Sequence, residues 1–136
     1  MTDLLQRFHL AQGQGPGSAL EQAIAELGAG RKQGHWIWFV LPQLRGLGQS
    51  PMSERYGIDN LEEVQAYLAD SVLRERLESV IHVIAEQIQK PGQRLSLLMG
   101  GDLDATKTIS SLTLFSAAGL PSAGRLLDQL GKECQV

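Results

Sequence analysis

Three stretches of the chain concentrate residue types that can do chemistry. The first runs Gly34-His35-Trp36-Ile37-Trp38-Phe39-Val40-Leu41-Pro42-Gln43 and holds both tryptophans and one of the three histidines, directly after Arg31 and Lys32. A buried indole needs a partner for its N–H, so two indoles placed two residues apart ask for a reason. On a helix His35, Trp38, Phe39 and Pro42 would share one face and Trp36, Val40 and Gln43 the other. Two readings follow: a central core helix with aromatic anchors, or the mouth of a ligand pocket lined by His35, Trp36 and Gln43, with Trp38 beside them.

The second stretch is Asp104-Ala105-Thr106-Lys107-Thr108-Ile109-Ser110-Ser111-Leu112-Thr113. Helical spacing stacks Asp104, Lys107 and Ser111 on one face, and a Ser–Lys pair four apart is one way to activate a hydroxyl nucleophile. An Asp–Lys pair at i, i+3 is also an ordinary surface pair worth a few tenths of a kcal/mol. Helical Ser and Thr usually bond the carbonyl one turn back. The stretch therefore reads as the polar wall of a binding cleft, with Ser110, Ser111 and Thr113 on it, ahead of covalent catalysis. The third stretch, Gly28-Ala29-Gly30-Arg31-Lys32-Gln33-Gly34, offers glycine amides and two cations before a helix, a phosphate-holding combination. It has no Gly-Lys-Ser/Thr and no preceding strand, so neither nucleotide-loop motif fits, and a solvated connector is the plainer reading.

Helices must position these residues. Asp3 is placed to cap a first helix carrying Leu4, Leu5, Phe8 and Ala11, which Gly13-Gln14-Gly15-Pro16-Gly17 breaks. Ser18-Ala19-Leu20-Glu21 is a capping box, and Leu20, Ala23, Ile24 and Leu27 follow at helical spacing with Gly28 in place to end the helix. His35 to Leu41 is predicted as a buried helix closed by Pro42, since no other segment offers a strand to pair with it. Ser50-Pro51 opens a short helix ended by Gly57, and Asn60 with Glu63 opens another through Leu61, Val64, Tyr67 and Leu68. Asp70 or Ser71 caps the longest helix, whose buried stripe is Leu73, Leu77, Val80, Ile81, Ile84 and Ile88, with Pro91-Gly92 beyond it. A turn at Leu95 to Met99 precedes a helix capped by Asp102 and ended by Gly119, and Pro121 opens the last, with Leu126, Leu127 and Leu130. The expectation is an all-α fold without a sheet: a single domain over residues 1–136 with about seven or eight short helices.

Composition narrows the function classes. At 136 residues with 43% hydrophobic and 20% charged residues the chain has enough apolar surface for one core without disulfides or metal. A net charge of −3 argues against a dedicated nucleic-acid coat. The N-terminal ten residues carry Asp3, Arg7 and His9 rather than a basic-then-apolar leader, and the longest apolar run is six residues, Trp36–Leu41, against the roughly 20 that span a bilayer. A cytoplasmic protein with no membrane segment is expected. Cys134 is alone, so neither an internal disulfide nor a cysteine zinc site is available. His9, His35 and His82 lack metal-ligand spacing, no motif asks for a cofactor, and His82 reads as a partly buried structural histidine.

The run Glu26-Leu27, Gly30-Arg31-Lys32, Gly34 through Val40, Pro42-Gln43, Gly46-Leu47-Gly48, Ser53 and Tyr56-Gly57-Ile58 resembles a bacterial domain-of-unknown-function family, number 1810. Glu62-Glu63, Ala66-Tyr67-Leu68, Val72-Leu73, Arg76-Leu77, Asp104 with Lys107, Ser110-Ser111 and Thr113-Leu114-Phe115 continue the likeness, which spans Phe8 to Phe115. The resemblance implies an all-α fold and no established activity. Some members of that family carry the label calpastatin, which does not suit this chain: calpastatin segments are disordered inhibitor repeats, and here there is a clear core pattern and no repeat. Gly100 to Thr108 departs from the family's usual Gly-x-Pro-Asp-Asp-x-Lys-Leu-like run, and its final Gly-x-x-Asp-x-x-Thr stretch is absent after Gly131.

Two functions from different classes fit these residues. The first is a small-molecule pocket between His35–Gln43 and Asp104–Thr113, suited to a planar polar ligand such as a nucleotide or ribose derivative. Arg31, Lys32, Trp36, Trp38, Gln43, Ser110, Ser111 and Thr113 would bind, and His35, Asp104 and Lys107 would carry any hydrolysis, with Asp104 or His35 as general base. The second is a protein-interaction or regulatory module that docks a partner through an aromatic surface. A nucleic-acid strand gripped by Arg31, Lys32 and Arg45 near Trp36 ranks third against the acidic total. Oligomeric state is not legible in the sequence.

Overall fold

Side-chain capping sets the start of four of the described helices. In the computed structural model, which describes residues 5–13, 15–46 and 50–134 (backbone alone at 133 and 134), the elements are α1 (Gln6–Gln12), α2 (Ala19–Gly28), α3 (Ile37–Val40), α4 (Pro51–Tyr56), α5 (Leu61–Ala69), α6 (Ser71–Ile88), α7 (Leu95–Leu98), α8 (Asp102–Ala117) and α9 (Pro121–Cys134). The expected Asp3 cap, Leu4, Gln14, Leu47, Gly48 and the Cys134 side chain lie outside the described residues. Ser18 accepts from the Glu21 amide at 3.1 Å, Asn60 from Glu63 at 2.9 Å, and Asp70 from Val72 and Leu73 at 3.0 and 3.1 Å. Each side chain thereby satisfies an amide that the first helical turn leaves unpaired. Ser50 does the same for Ser53, with Pro51 opening α4.

Several boundaries, and the placement of His82, differ from the sequence expectation. Gly28 is still helical, and the chain turns left-handed at Gly30 (φ 97°), where Arg31 N–H reaches the Glu26 carbonyl and Gly30 N–H reaches that of Leu27. That pair of bonds is a Schellman motif, and it aims the following residues back toward α2. The helix expected over His35–Leu41 is the single turn α3, with Trp36 as its N-terminal flank. Asp102 is the first residue of α8 rather than its cap, which is Gly101. His82 is not partly buried: its side chain is 73% exposed and its Nε2 lies 3.6 Å from Glu86.

The described helices form an all-α fold, nine in number when the single turns α3 and α7 are included, with one isolated parallel bridge between Leu44 and Ile58. The long α6 is central, with α2, α5 and α9 packed along it and α8 against α9. Its stripe of Leu73, Leu77, Val80, Ile81 and Ile84 is buried, and Ile88 is half-buried. A second apolar centre joins the N-terminal half to α8: Tyr67 makes ring contacts at 5.2 Å with both Phe8 and Phe115, and Phe39 meets Tyr56 at 5.3 Å. Within it the buried Gln12 amide donates to the Phe39 carbonyl at 2.8 Å and the Tyr67 hydroxyl at 2.9 Å. These contacts fix α3 against α1, and α3 and α8 against each other, which places the aromatic run next to the Asp104–Thr113 segment. No helix among the described residues is long and apolar enough to cross a membrane.

Candidate functional site

The Gly28–Gly34 connector exposes Gly28, Ala29, Arg31 and Gln33 as a solvated link would, but Lys32 within it turns inward. Lys32 N–H donates to the Leu98 carbonyl of α7 at 2.7 Å, and its side chain is buried, 6% exposed. A charged ammonium is tolerated there only because it is paired. Its Nζ lies 2.7 Å from Asp104 Oδ2, donates to the Gly34 carbonyl, and sits 5.1 Å from the centre of the Trp36 ring.

The next residues are held by a carboxylate on α2. Glu26 Oε1 accepts the Gln33 and Gly34 amides, each at 2.8 Å, and the Trp36 indole N–H at 2.9 Å, while Oε2 accepts from Gln22 at 2.8 Å. Burial pushes the Glu26 carboxyl up, but the Gly34, Gln33, Gln22 and Trp36 hydrogen bonds outweigh it and bring it to about 2. Trp36 is thus a buried, hydrogen-bonded anchor, and the chain beyond it presents Trp38 half-buried.

On the facing side, α8 brings Asp104 and Lys107 to the same place. Lys107 Nζ donates to Asp104 Oδ1 at 3.2 Å and lies 4.6 Å from the Trp38 ring centre, a cation–π arrangement. Gln43 fixes the register by donating to the Leu41 and Lys107 carbonyls, both at 2.8 Å. Asp104 therefore bridges two ammonium groups. Burial would raise its carboxyl, but the hydrogen bonds and charges of Lys32 and then Lys107 hold it below the ordinary carboxylate range.

Lys32, His35, Ile37, Trp38, Met52, Asp104 and Lys107 line a cleft of about 270 Å³. Five of the residues singled out in the sequence come together there: Lys32, His35, Trp38, Asp104 and Lys107. His35 is exposed and sits before α3, not on it. The other six lie elsewhere. Arg31 faces a separate depression with Ser96, Leu97, Gly100, Gly101 and Asp102. Trp36 and Gln43 are buried in the walls behind the cleft. Ser110 is half-buried, and Thr113 is exposed with its hydroxyl bonded to the Ile109 carbonyl at 2.7 Å. Ser111 is buried and its hydroxyl has no hydrogen-bond partner among the described residues, so no Lys107–Ser111 hydrogen bond activates it. Thr106 and Thr108 bond the carbonyl four residues back, whereas at Ser111 that carbonyl, on Lys107, already accepts Gln43. Glu26, Ile37 and Met52 are the site residues that sequence reasoning passed over.

Among the described residues there is no group of three or more His, Cys, Asp or Glu side chains that could hold a metal ion. What the cleft offers is one surplus positive charge from two lysines and one aspartate, an indole face and an imidazole at the rim. That set suits recognition of an anion attached to a flat ring.

The chain is similar to a solved protein across most of its length. The crystal structure of the conserved hypothetical protein Rv1873 from Mycobacterium tuberculosis matches with a TM-score of 0.78 and 41% sequence identity, over 94% of this chain and 85% of that one. No curated protein matches. The family model described as a protein of unknown function, DUF1810, covers residues 2–130, and the chain belongs to that family.

Proposed function

We propose that the cleft between the His35–Trp38 segment and α8 binds a small anionic molecule with a planar ring, of the nucleotide or ribose-phosphate kind. The observation that carries this reading is the position of Lys107: its ammonium lies over the Trp38 ring and against Asp104 at the edge of a cleft shared with Lys32 and His35. A ligand ring has an indole to pack on and its anion a cation beside that ring. Asp104 is poorly suited as a general base, because its two oxygens are engaged by two ammonium groups. Among the described residues of the cleft, His35 is an exposed imidazole outside the Asp104–lysine cluster, and hydrolysis of a bound ester would fall to it.

A thermal-shift screen of nucleotides, NAD, ADP-ribose and sugar phosphates tests the reading. A ligand at 100 times its dissociation constant adds about 2.7 kcal/mol, a rise of several degrees for a domain of this size. The rise should disappear in Lys107→Ala and shrink in His35→Ala, with both variants folded. A flat panel overturns it. The competing reading, a protein-docking module, draws on the exposed Leu97 (55%) and Leu103 (79%) of α7 and α8. It predicts instead that a Leu97→Ser, Leu103→Ser double variant loses a partner while Lys107→Ala keeps it.

A further inference from the structure

Resting on that reading of the cleft, we propose that Asp104 determines ligand specificity: it is a built-in counter-anion that matches the site to a single negative charge, a phosphodiester rather than a phosphate monoester dianion. The two lysines are unequal. Lys32 is enclosed, 6% exposed, and its ammonium is already taken up by Asp104 Oδ2, the Gly34 carbonyl and the Trp36 ring. Lys107 is 31% exposed, and among the described residues its ammonium meets Asp104 Oδ1, at 3.2 Å, and the Trp38 face. An incoming anion therefore meets Lys107.

Its distance from Asp104 is then bounded. A ligand oxygen in a charge-assisted bond of about 2.8 Å to Lys107 Nζ lies no more than about 6 Å from Asp104 Oδ1. At that range the carboxylate repels each ligand charge by an amount equal to roughly tenfold in affinity at a partly exposed site. The two lysines and the aspartate leave one surplus positive charge, which a monoanion neutralises. A dianion leaves one negative charge facing Asp104, and the cost of stripping water from an ion grows faster than its charge. A phosphate monoester loses its second proton near pH 6, whereas a phosphodiester stays singly charged. The two ligand types thus present the same atoms with different charge.

Calorimetric titration with 3′,5′-cyclic AMP and AMP, and with the matching guanine pair, separates them. At pH 8 the wild-type protein should bind the cyclic form at least severalfold more tightly than the open monoester. Asp104→Asn, which keeps an acceptor for the lysines, should tighten the cyclic form about tenfold and the dianion about a hundredfold, because the relieved repulsion scales with ligand charge. A variant that weakens both, or alters both by one factor, overturns the proposal and leaves the cleft as an anion site. Wild-type protein that binds none of the four nucleotides overturns the reading beneath it as well. A second measurement needs no variant. Between pH 8 and pH 5 the monoester becomes a monoanion, so its affinity relative to the cyclic form should rise about tenfold. The cyclic form controls for every other pH effect in the cleft, whose charged and titratable side chains are Lys32, His35, Asp104 and Lys107. A constant ratio contradicts the proposal.

Discussion

The Glu26 carboxylate stands 2.9 Å from the Trp36 indole nitrogen and ties α2 to the aromatic run that carries one wall of the cleft. The same oxygen accepts two backbone amides, so one side chain orders the segment from Gln33 to Trp36. Removing the side chain leaves four donors without their partner, the Gln33 and Gly34 amides, the Trp36 indole N–H and the Gln22 amide, at about 1–3 kcal/mol for an unsatisfied group where water does not replace it. Glu26→Ala should therefore lower stability by about 1–3 kcal/mol in urea denaturation, with Glu26→Gln between it and wild type. A loss under about 0.5 kcal/mol would show that the bonds are replaceable by water.

Acid sensitivity follows from the same group. The folded-state carboxyl of Glu26 is held at about 2, below its ordinary 4.5, so its contribution is fully present above pH 4.5 and is lost as the pH falls toward 2. Asp104 and Asp70 are displaced in the same direction from 3.8, in each case against burial, Asp104 by its lysines and Asp70 by His9 and its capped amides. Urea midpoints should hold steady at mildly acidic pH and fall steeply below pH 4.5, and the curve for Glu26→Gln should be shallower there. Parallel curves would remove Glu26 from the account.

Two glycine-to-alanine changes should have opposite signs. A Cβ on Gly34 would stand 2.7 Å from Gln22 Nε2 and 2.9 Å from Trp36 Cδ1, inside the Glu26 hydrogen-bond cluster. Overpacking of that kind costs about 1–3 kcal/mol. Gly131 in α9 has nothing within 4 Å of the same position. Gly131→Ala should stabilise by about 0.5–1 kcal/mol through helix propensity and the restricted unfolded chain. Thermal melts of the two variants check both signs.

Short-range information was legible in the sequence. Ser18, Asn60 and Asp70 cap within three residues, and the α6 stripe repeats at 3.6 residues, so those helices follow from local chemistry. The Asp104–Lys107 pair is a matter of i, i+3 spacing on one helix. What stayed hidden depends on partners far along the chain. Lys32, in the connector after α2, looks solvated until Asp104 on α8 pairs with it. Glu26 looks like an exposed helical acid until a Schellman turn at Gly30 brings Gln33, Gly34 and Trp36 back over it. The Trp36 indole is drawn to that carboxylate, and only one helical turn forms where a helix over His35–Leu41 was expected, in a run whose Trp, Ile, Phe and Val have strand-like composition. Gly57 was expected to end α4 through its conformational freedom, yet its φ is −64°. It is glycine for space, since a Cβ would lie 2.7 Å from Arg45 Cβ and 2.8 Å from the Ser53 carbonyl oxygen.

The central claim is that an anionic, nucleotide-like ligand binds beside Lys107 and Trp38. The chain has two tryptophans, hence two indole N–H resonances, in different surroundings: Trp36 is buried and bonded to Glu26, Trp38 lines the cleft. Titrating 15N-labelled protein with 3′,5′-cyclic AMP and the ligand panel, while following both resonances, tests the claim most directly. The account predicts that the Trp38 signal moves saturably, that the Trp36 signal stays in place, and that Lys107→Ala abolishes the movement. Two static signals with every ligand, or movement of Trp36 alone, would contradict it.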